Sequence, residues 1–234
     1  MKTIRSLFNR EDTAGIMFTL PFTLGFLFFM IVPMGISLYY SFCKYNILSP
    51  PVFTGLVTFF FAFVSVPLKL IFALLVAMLL LKNTKMSGIY RAAYYLPSII
   101  GGSVAVAILW KRMFAMDGVV NKLLGSIGIK TSISWLGDTK TAIWILILLA
   151  VWQFGSSMLI FLSSLKQIPT SLYEAAMVDG ANPVSRFFKI TLPLLTPTIF
   201  FNLVMQMING FLAFTQCYII TQGKPMNSTL LYTV

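Results

Sequence analysis

Asn202, Gln206 and Asn209 stand at i, i+4 and i+7, so on a helix their carboxamides form one stripe. Gln216 follows fourteen residues after Asn202 and returns close to that face. Gln153 and Ser156, with Ser157 beside them, interrupt another apolar run near its middle. A carboxamide both donates and accepts, which suits the alternating hydroxyls of a sugar. Buried in hydrocarbon without partners it is costly. Such side chains either line a wet pathway or tie helices together, at about 0.6 kcal/mol per contact. The residues leave both roles open, and the stripe as a whole leans towards a pathway. Lys69 is a further polar group inside an apolar run, and no Asp or Glu lies in any run to pair with it. It is expected to face a wet cavity or a subunit contact, or to snorkel to an interface.

A second constellation gathers Glu174, Asp179, Arg186 and Lys189 between two apolar runs. That segment belongs in water beside a membrane. Its punctuation predicts two short helices meeting at a glycine. Ser171 and Glu174 have capping-box spacing, with Glu174 at the positive end of a helix over 172–178. Gly180 suits the left-handed residue that closes it. Asn182 then caps a second helix, with Pro183 at its first position. Pro193 and Pro197 suit the start of a further helix better than its middle.

The elements that must position these residues follow from composition. The chain is 58% hydrophobic and 10% charged, with mean hydropathy +0.89. A soluble domain carries roughly 25% charged residues, so this is an integral membrane protein of all-α class, a polytopic helical bundle. A crossing takes about 20 apolar residues, and the runs 15–42, 57–81, 92–114, 141–165 and 194–221 qualify. The first is too long for a signal-peptide core of roughly 7–15 residues and reads as an uncleaved span with its N-terminus in the cytoplasm. Pro21 and Pro33 inside it are tolerable if neighbours satisfy the freed carbonyls. Residues 43–56 read either as a short external loop or as a place where a longer external segment is absent from the sequence. In the third run Pro97, Gly101, Gly102 and Ser103 read as a packing or hinge site. In the long loop after it, 118–129 is amphipathic: Val119, Val120, Leu123, Leu124 and Ile127 share a face, with Asn121 and Lys122 off it. That pattern suits a helix lying flat on the outer membrane face.

Composition also excludes chemistry. The net charge of +11 sits beside apolar runs, as it does in chains that face anionic headgroups, and does not signal nucleic-acid binding. Basic residues favour the predicted cytoplasmic side only weakly. There is no histidine, hence no His-based catalysis or metal site. Cys43 and Cys217 form no motif and read as separate buried thiols rather than a disulfide. No Gly-x-x-x-x-Gly-Lys-Ser/Thr loop is present, so ATP is not bound that way. No catalytic constellation exists either: the chain is not an enzyme, and any energy must come from elsewhere. An ion-coupled secondary transporter is disfavoured by the lack of acids in the spans. A membrane scaffold or receptor is the remaining class.

Glu174-Ala175-Ala176, then Asp179-Gly180-Ala181, Phe187, Ile190 and Pro193, resemble the EAA loop of permease subunits of binding-protein-dependent ABC importers. The flanking sequence is most similar to the sugar branch, near the maltose, lactose and glycerol-phosphate permeases. The resemblance implies a type I importer transmembrane domain in the bacterial plasma (inner) membrane. It implies that the first short helix docks on a separate ATPase, present in two copies that hold ATP and Mg, with no cofactor on this chain. It further implies a second permease subunit, giving a heterodimer, and an extracellular substrate-binding protein met by the outer loops. The function implied is translocation of a mono- or oligosaccharide by alternating access, with glycerol phosphate or another small polar solute as the alternative. Residues 1–56 would carry the first span and external loop, and 57–234 the permease core with the EAA loop at 166–193. Relatives have a longer external segment after the first span, a second glycine where Lys224 stands, and a sixth span. The chain therefore reads as cut short after 234.

Overall fold

The computed structural model describes all residues except 1–9, 41–42, 47–48, 54–55, 82–85, 129–132, 226–227, 232 and 234. Two compact units follow one another, Met1–Gly55 and Leu56–Val234. The expectations for the N-terminal basic residues Lys2 and Arg5, and for the turn at Lys82 and Lys85, lie outside the described residues.

The first unit holds a long helix: α1 (Arg10–Phe26), a π-turn (Leu27–Ile31) and α2 (Val32–Tyr40). Its stretch Met17–Ser37 is long and apolar enough to cross a membrane. The π-turn has an identifiable cause. A proline ring lacks the N–H and collides with the carbonyl four residues back. For Pro33 that residue is Phe29, inside the π-turn, where the wider helix swings the carbonyl aside. Residues 43–56, expected as a plain loop, contain an antiparallel hairpin, β1 (Cys43–Asn46) with β2 (Ser49–Phe53). Cys43 pairs with Phe53 and Lys44 with Val52, and the register breaks before Asn46–Ser49. In a two-stranded ribbon each strand is an edge, so Pro50 and Pro51 remove no ladder that matters. The side chain of Cys43 lies outside the described residues.

The second unit is built around α3 (Val57–Leu79). Phe61, Ala62, Ser65, Val66, Leu70, Ala73, Val76 and Ala77 recur at helical spacing and are all buried. The C-terminal part of that face meets Met158, Phe161, Leu162 and Leu165 of α8 (Gly155–Gln167), Phe154 just before it, and Leu195 of α11 (Leu192–Phe211). The other part meets α5 (Val104–Met113), α7 (Ala142–Trp152) and α12 (Thr215–Ile220) through Ala107, Leu146, Leu149, Cys217 and Ile220. Cys217 is thus a free, buried thiol, as expected. Gly210 of α11 faces Ala62 and Val66 of α3, and a Cβ added there would meet them at ordinary van der Waals distance.

Three expected spans are not single straight helices. The third is α4 (Ser87–Ile100) and α5, bent by 96° at Gly101–Ser103. The fourth is α7 and α8, bent by 43° at Gln153–Phe154. The fifth begins earlier and stops sooner than its apolar run: α10 (Pro183–Arg186), a π-turn (Phe187–Thr191) and α11 form one helix from Pro183 to Phe211. Pro193 therefore lies within a continuous helix rather than opening one. The reason is the one met at Pro33, since its colliding carbonyl belongs to Lys189 in the π-turn. Pro197 is likewise internal. Among the described residues, counting each bent pair as one span gives five, and three helices qualify unbroken.

The amphipathic segment expected on the outer membrane face is α6 (Val119–Ser126). Val119, Leu123 and Ile127 are exposed, as a membrane-surface face requires. Asn121, expected off the apolar face, is instead a buried polar knot. Its Nδ2 donates to the carbonyls of Met116 and Ile133, and its Oδ1 accepts from Trp135 Nε1 at 2.7 Å.

Candidate functional site

The breaks in the second unit gather at one place. Gly101 carries no Cβ because one would overlap the side chain of Gln153 and the carbonyl of Pro97. The Gly101 carbonyl accepts from Gln216 Nε2, so the hinge after α4 touches both the α7–α8 break and α12. The α7–α8 break is itself stitched to α4. Ser98 Oγ donates to the Gln153 carbonyl at 3.0 Å and accepts from the Ser156 amide at 3.1 Å. A broken helix leaves backbone groups without intrahelical partners, and in a bilayer they must be satisfied by side chains or by a wet cavity. Gly155 permits the stitch, since a Cβ there would overlap the Tyr94 carbonyl and Tyr95 Cα.

Beside these breaks lies a cavity of about 210 Å³. Ser65 and Lys69 of α3 line it, as do Gly102, Gln153, Gln206, Asn209, Thr215 and Gln216. Lys69 Nζ donates to Gln206 Oε1 at 2.8 Å across the α3–α11 contact. Gln153 Nε2 donates to the Leu149 carbonyl, and Asn209 is exposed to the cavity's open side. Of the carboxamides and hydroxyls picked from sequence, Gln153, Gln206, Asn209 and Gln216 are brought together here. Gln216 arrives by another route than helical periodicity, because α11 ends at Phe211 and α12 carries it back.

Asn202 and Ser156 do not line the cavity. Asn202 is wholly buried between helices, its Nδ2 donating to the Thr198 carbonyl at 3.2 Å. Next to it in the same helix Thr198 Oγ1 shares a 2.8 Å hydrogen bond with Ser164 Oγ of α8. These are packing contacts one turn below the cavity residues. Ser156 contributes its backbone amide to the stitch with Ser98, not its hydroxyl to the cavity. The Lys69–Gln206 pair has no local signature, and only the depth of two lone polar groups in facing apolar helices hints at it.

At the other end of α8 and α11 lies the polar segment. α9 (Thr170–Val178) opens without a side-chain cap: Pro169 is the N-cap, so Ser171 and Glu174 form no capping box. Pro169 fixes an extended approach (φ −59°, ψ 131°), which starts the helix earlier than the Ser171 spacing implies. The far end is a complete Schellman turn. Gly180 has φ +74°, its amide donates to the Met177 carbonyl, and the Ala181 amide donates to the Ala176 carbonyl at 2.8 Å. Asn182 Oδ1 then accepts from the Ser185 amide at 2.7 Å, capping α10 with Pro183 first. Tyr173 hydroxyl and Thr191 Oγ1, 2.9 Å apart, tie α9 to the π-turn. Phe187 and Ile190 are half-buried on that turn, and Pro193 follows, exposed. Glu174, Ala175, Asp179 and the apolar Leu172, Met177 and Val178 are exposed on α9, with Ala176 and Ala181 half-buried. A short helix showing this mixture to solvent has the composition of a docking surface.

Residues 31–234 match the family described as binding-protein-dependent transport system inner membrane component. The chain belongs to this family. Among curated relatives, "Probable ABC transporter permease protein YesP" of Bacillus subtilis is 51% identical, over 100% of this chain and 82% of that protein. The lactose transport system permease protein LacF of Rhizobium radiobacter is 38% identical over 74% of this chain and 59% of that protein. The arabinooligosaccharides transport system permease protein AraP of Bacillus subtilis is 30% identical, over 94% and 76%. Among solved structures, a chain of a bacterial alginate ABC transporter, in complex with an alginate pentasaccharide-bound periplasmic protein, superposes with TM-score 0.66. It is 22% identical, over 98% of this chain and 82% of that one, and supports the fold. This inner membrane component is thus a multi-pass permease subunit of a binding-protein-dependent transport system.

Proposed function

We propose that this permease subunit translocates a sugar, delivered by an extracellular binding protein, through the polar cavity at Lys69, Gln153, Gln206, Asn209 and Gln216. One observation carries the reading: two of the helices that leave the cavity, α8 and α11, lead to α9. From the α7–α8 break at Gln153, α8 runs to Gln167, and α9 begins at Thr170, after Ile168 and Pro169. After α9, the helix Pro183–Phe211 returns to Gln206 and Asn209. Its 29 residues span about 43 Å at 1.5 Å per residue, the scale of a whole bilayer. A push on α9 is therefore delivered by two stiff rods to the cavity wall.

In this reading α9 docks on an ATPase subunit, with two copies serving a heterodimer of permease subunits, and ATP and Mg are held there rather than on this chain. Closure of the ATPases moves α9, α8 and α11 together and switches the cavity between inward and outward access. The N-terminus and the loop at 166–193 lie in the cytoplasm. Carboxamides at the cavity exchange hydrogen bonds with sugar hydroxyls at little net cost, so the solute binds and leaves. The sugar-transport relatives LacF and AraP support the choice of solute class.

The test is uptake by cells lacking the chain and by cells complemented with it, screened over neutral and acidic mono- and oligosaccharides, glycerol phosphate and amino acids. Saccharide uptake restored only by the chain supports the reading. Restoration of amino acids alone contradicts it.

A further inference from the structure

We propose that the transported saccharide is anionic and that Lys69 binds its single carboxylate. This deepens the preceding proposal and rests on the cavity being the solute pathway.

Lys69 stands in the middle of an apolar helix, where a cation costs a few kcal/mol on insertion scales. The other polar groups at the cavity are neutral carboxamides and hydroxyls. Gln206 Oε1 accepts one hydrogen bond from the ammonium, which has three to give, and contributes no negative charge. The acidic residues of the chain are Glu11, Asp12, Asp117, Asp138, Glu174 and Asp179. None of them lies within α3, α4, α5, α7, α8, α11 or α12, and Asp117, Asp138, Glu174 and Asp179 do not line the cavity. Among the described residues the cavity wall thus holds one positive charge without an acidic partner, set among hydrogen-bonding groups suited to hydroxyls.

The charge count selects the ligand. A neutral sugar leaves the ammonium uncompensated. A phosphate monoester carries about −1.5 to −2 at neutral pH and brings more charge than one lysine offsets. A carboxylate brings one negative charge and accepts from the two ammonium donors that Gln206 leaves free. A sugar acid, with hydroxyls for Gln153, Asn209 and Gln216 and a carboxylate for Lys69, matches the wall group for group.

The experiment uses the assembled importer in proteoliposomes with its binding protein. The probes are a uronic acid disaccharide, its neutral methyl ester, the corresponding neutral disaccharide and glycerol phosphate. The expected result is preferred uptake of the acid over its ester, with the ratio falling about tenfold in Lys69→Gln, the worth of one charge-assisted hydrogen bond. Lys69→Arg should keep the preference. Gln206→Glu should abolish it by supplying an internal counter-charge, and it serves as the second variant if Lys69→Gln does not assemble. An acid-to-ester ratio that neither Lys69→Gln nor Gln206→Glu changes overturns the proposal, as does Lys69-dependent uptake of glycerol phosphate in place of the acid. Uptake of the neutral disaccharide with rejection of the acid overturns the anion assignment while leaving the sugar pathway standing. Rejection of every saccharide by an assembled, ATP-hydrolysing importer overturns both.

Discussion

At the scale of single residues, glycines decide where backbones meet, and their environments differ enough to predict opposite outcomes. Gly155 is the first residue of α8 and its φ is not positive, so the backbone itself sets no penalty on alanine there. Its missing Cβ is occupied by the backbone of Tyr94 and Tyr95, which cannot move without parting α4 from α8. Gly155→Ala should therefore destabilise the assembled complex by about 1–3 kcal/mol, the usual cost of overpacking. Gly102→Ala, with nothing within 4 Å, should leave stability unchanged. Thermal denaturation of the two purified variants, compared with the parent, checks both. The sequence marked the third run's Gly-Gly-Ser as a hinge, but nothing in it distinguished Gly101, which is pressed against Gln153, from Gly102, which is free. Polar residues were legible to the same degree. That Gln206 and Asn209 belong together follows from spacing, whereas the burial of Asn202 one turn away depends on which neighbour packs there.

At the scale of elements, the junction between α9 and α10 was readable in detail because its determinants are local. A glycine that must take φ +74°, and an asparagine followed by proline, leave few alternatives. No side chain comes near Gly180, so its replacement tests conformation alone. Gly180→Ala should cost about 1–2 kcal/mol, the penalty of the left-handed region for an L-residue. Limited proteolysis should show faster cleavage near residue 180 while cleavage elsewhere is unchanged. The α9 start departs from the capping-box spacing for an equally local reason, since Pro169 sets the extended approach before Ser171 can act as a cap. Helix continuity is harder to read. Pro193 looks like a start signal, yet a π-turn carries the helix through it, and whether a proline breaks a helix or widens it depends on tertiary support.

At the scale of the molecule, class and span count follow from hydropathy, and the three breaks do not. Each is a place where an apolar run goes on while the helix turns, and only packing reveals that all three border one cavity. That convergence gives the chain a polar cavity at one end of α8 and α11 and a short, largely exposed helix at the other. The central claim is that α9 is gripped by an ATP-hydrolysing partner, and Ala175, exposed in the middle of α9, is the place to ask. A single cysteine at Ala175, with Cys43 and Cys217 replaced, is to be crosslinked in membranes holding the whole importer. The account predicts one dominant adduct, to the ATPase subunit, whose yield changes when ATP is added and falls when Glu174→Lys is combined with it. Labelling only by lipid or by periplasmic reagents, with no adduct to an ATP-hydrolysing protein in any nucleotide state, would contradict it.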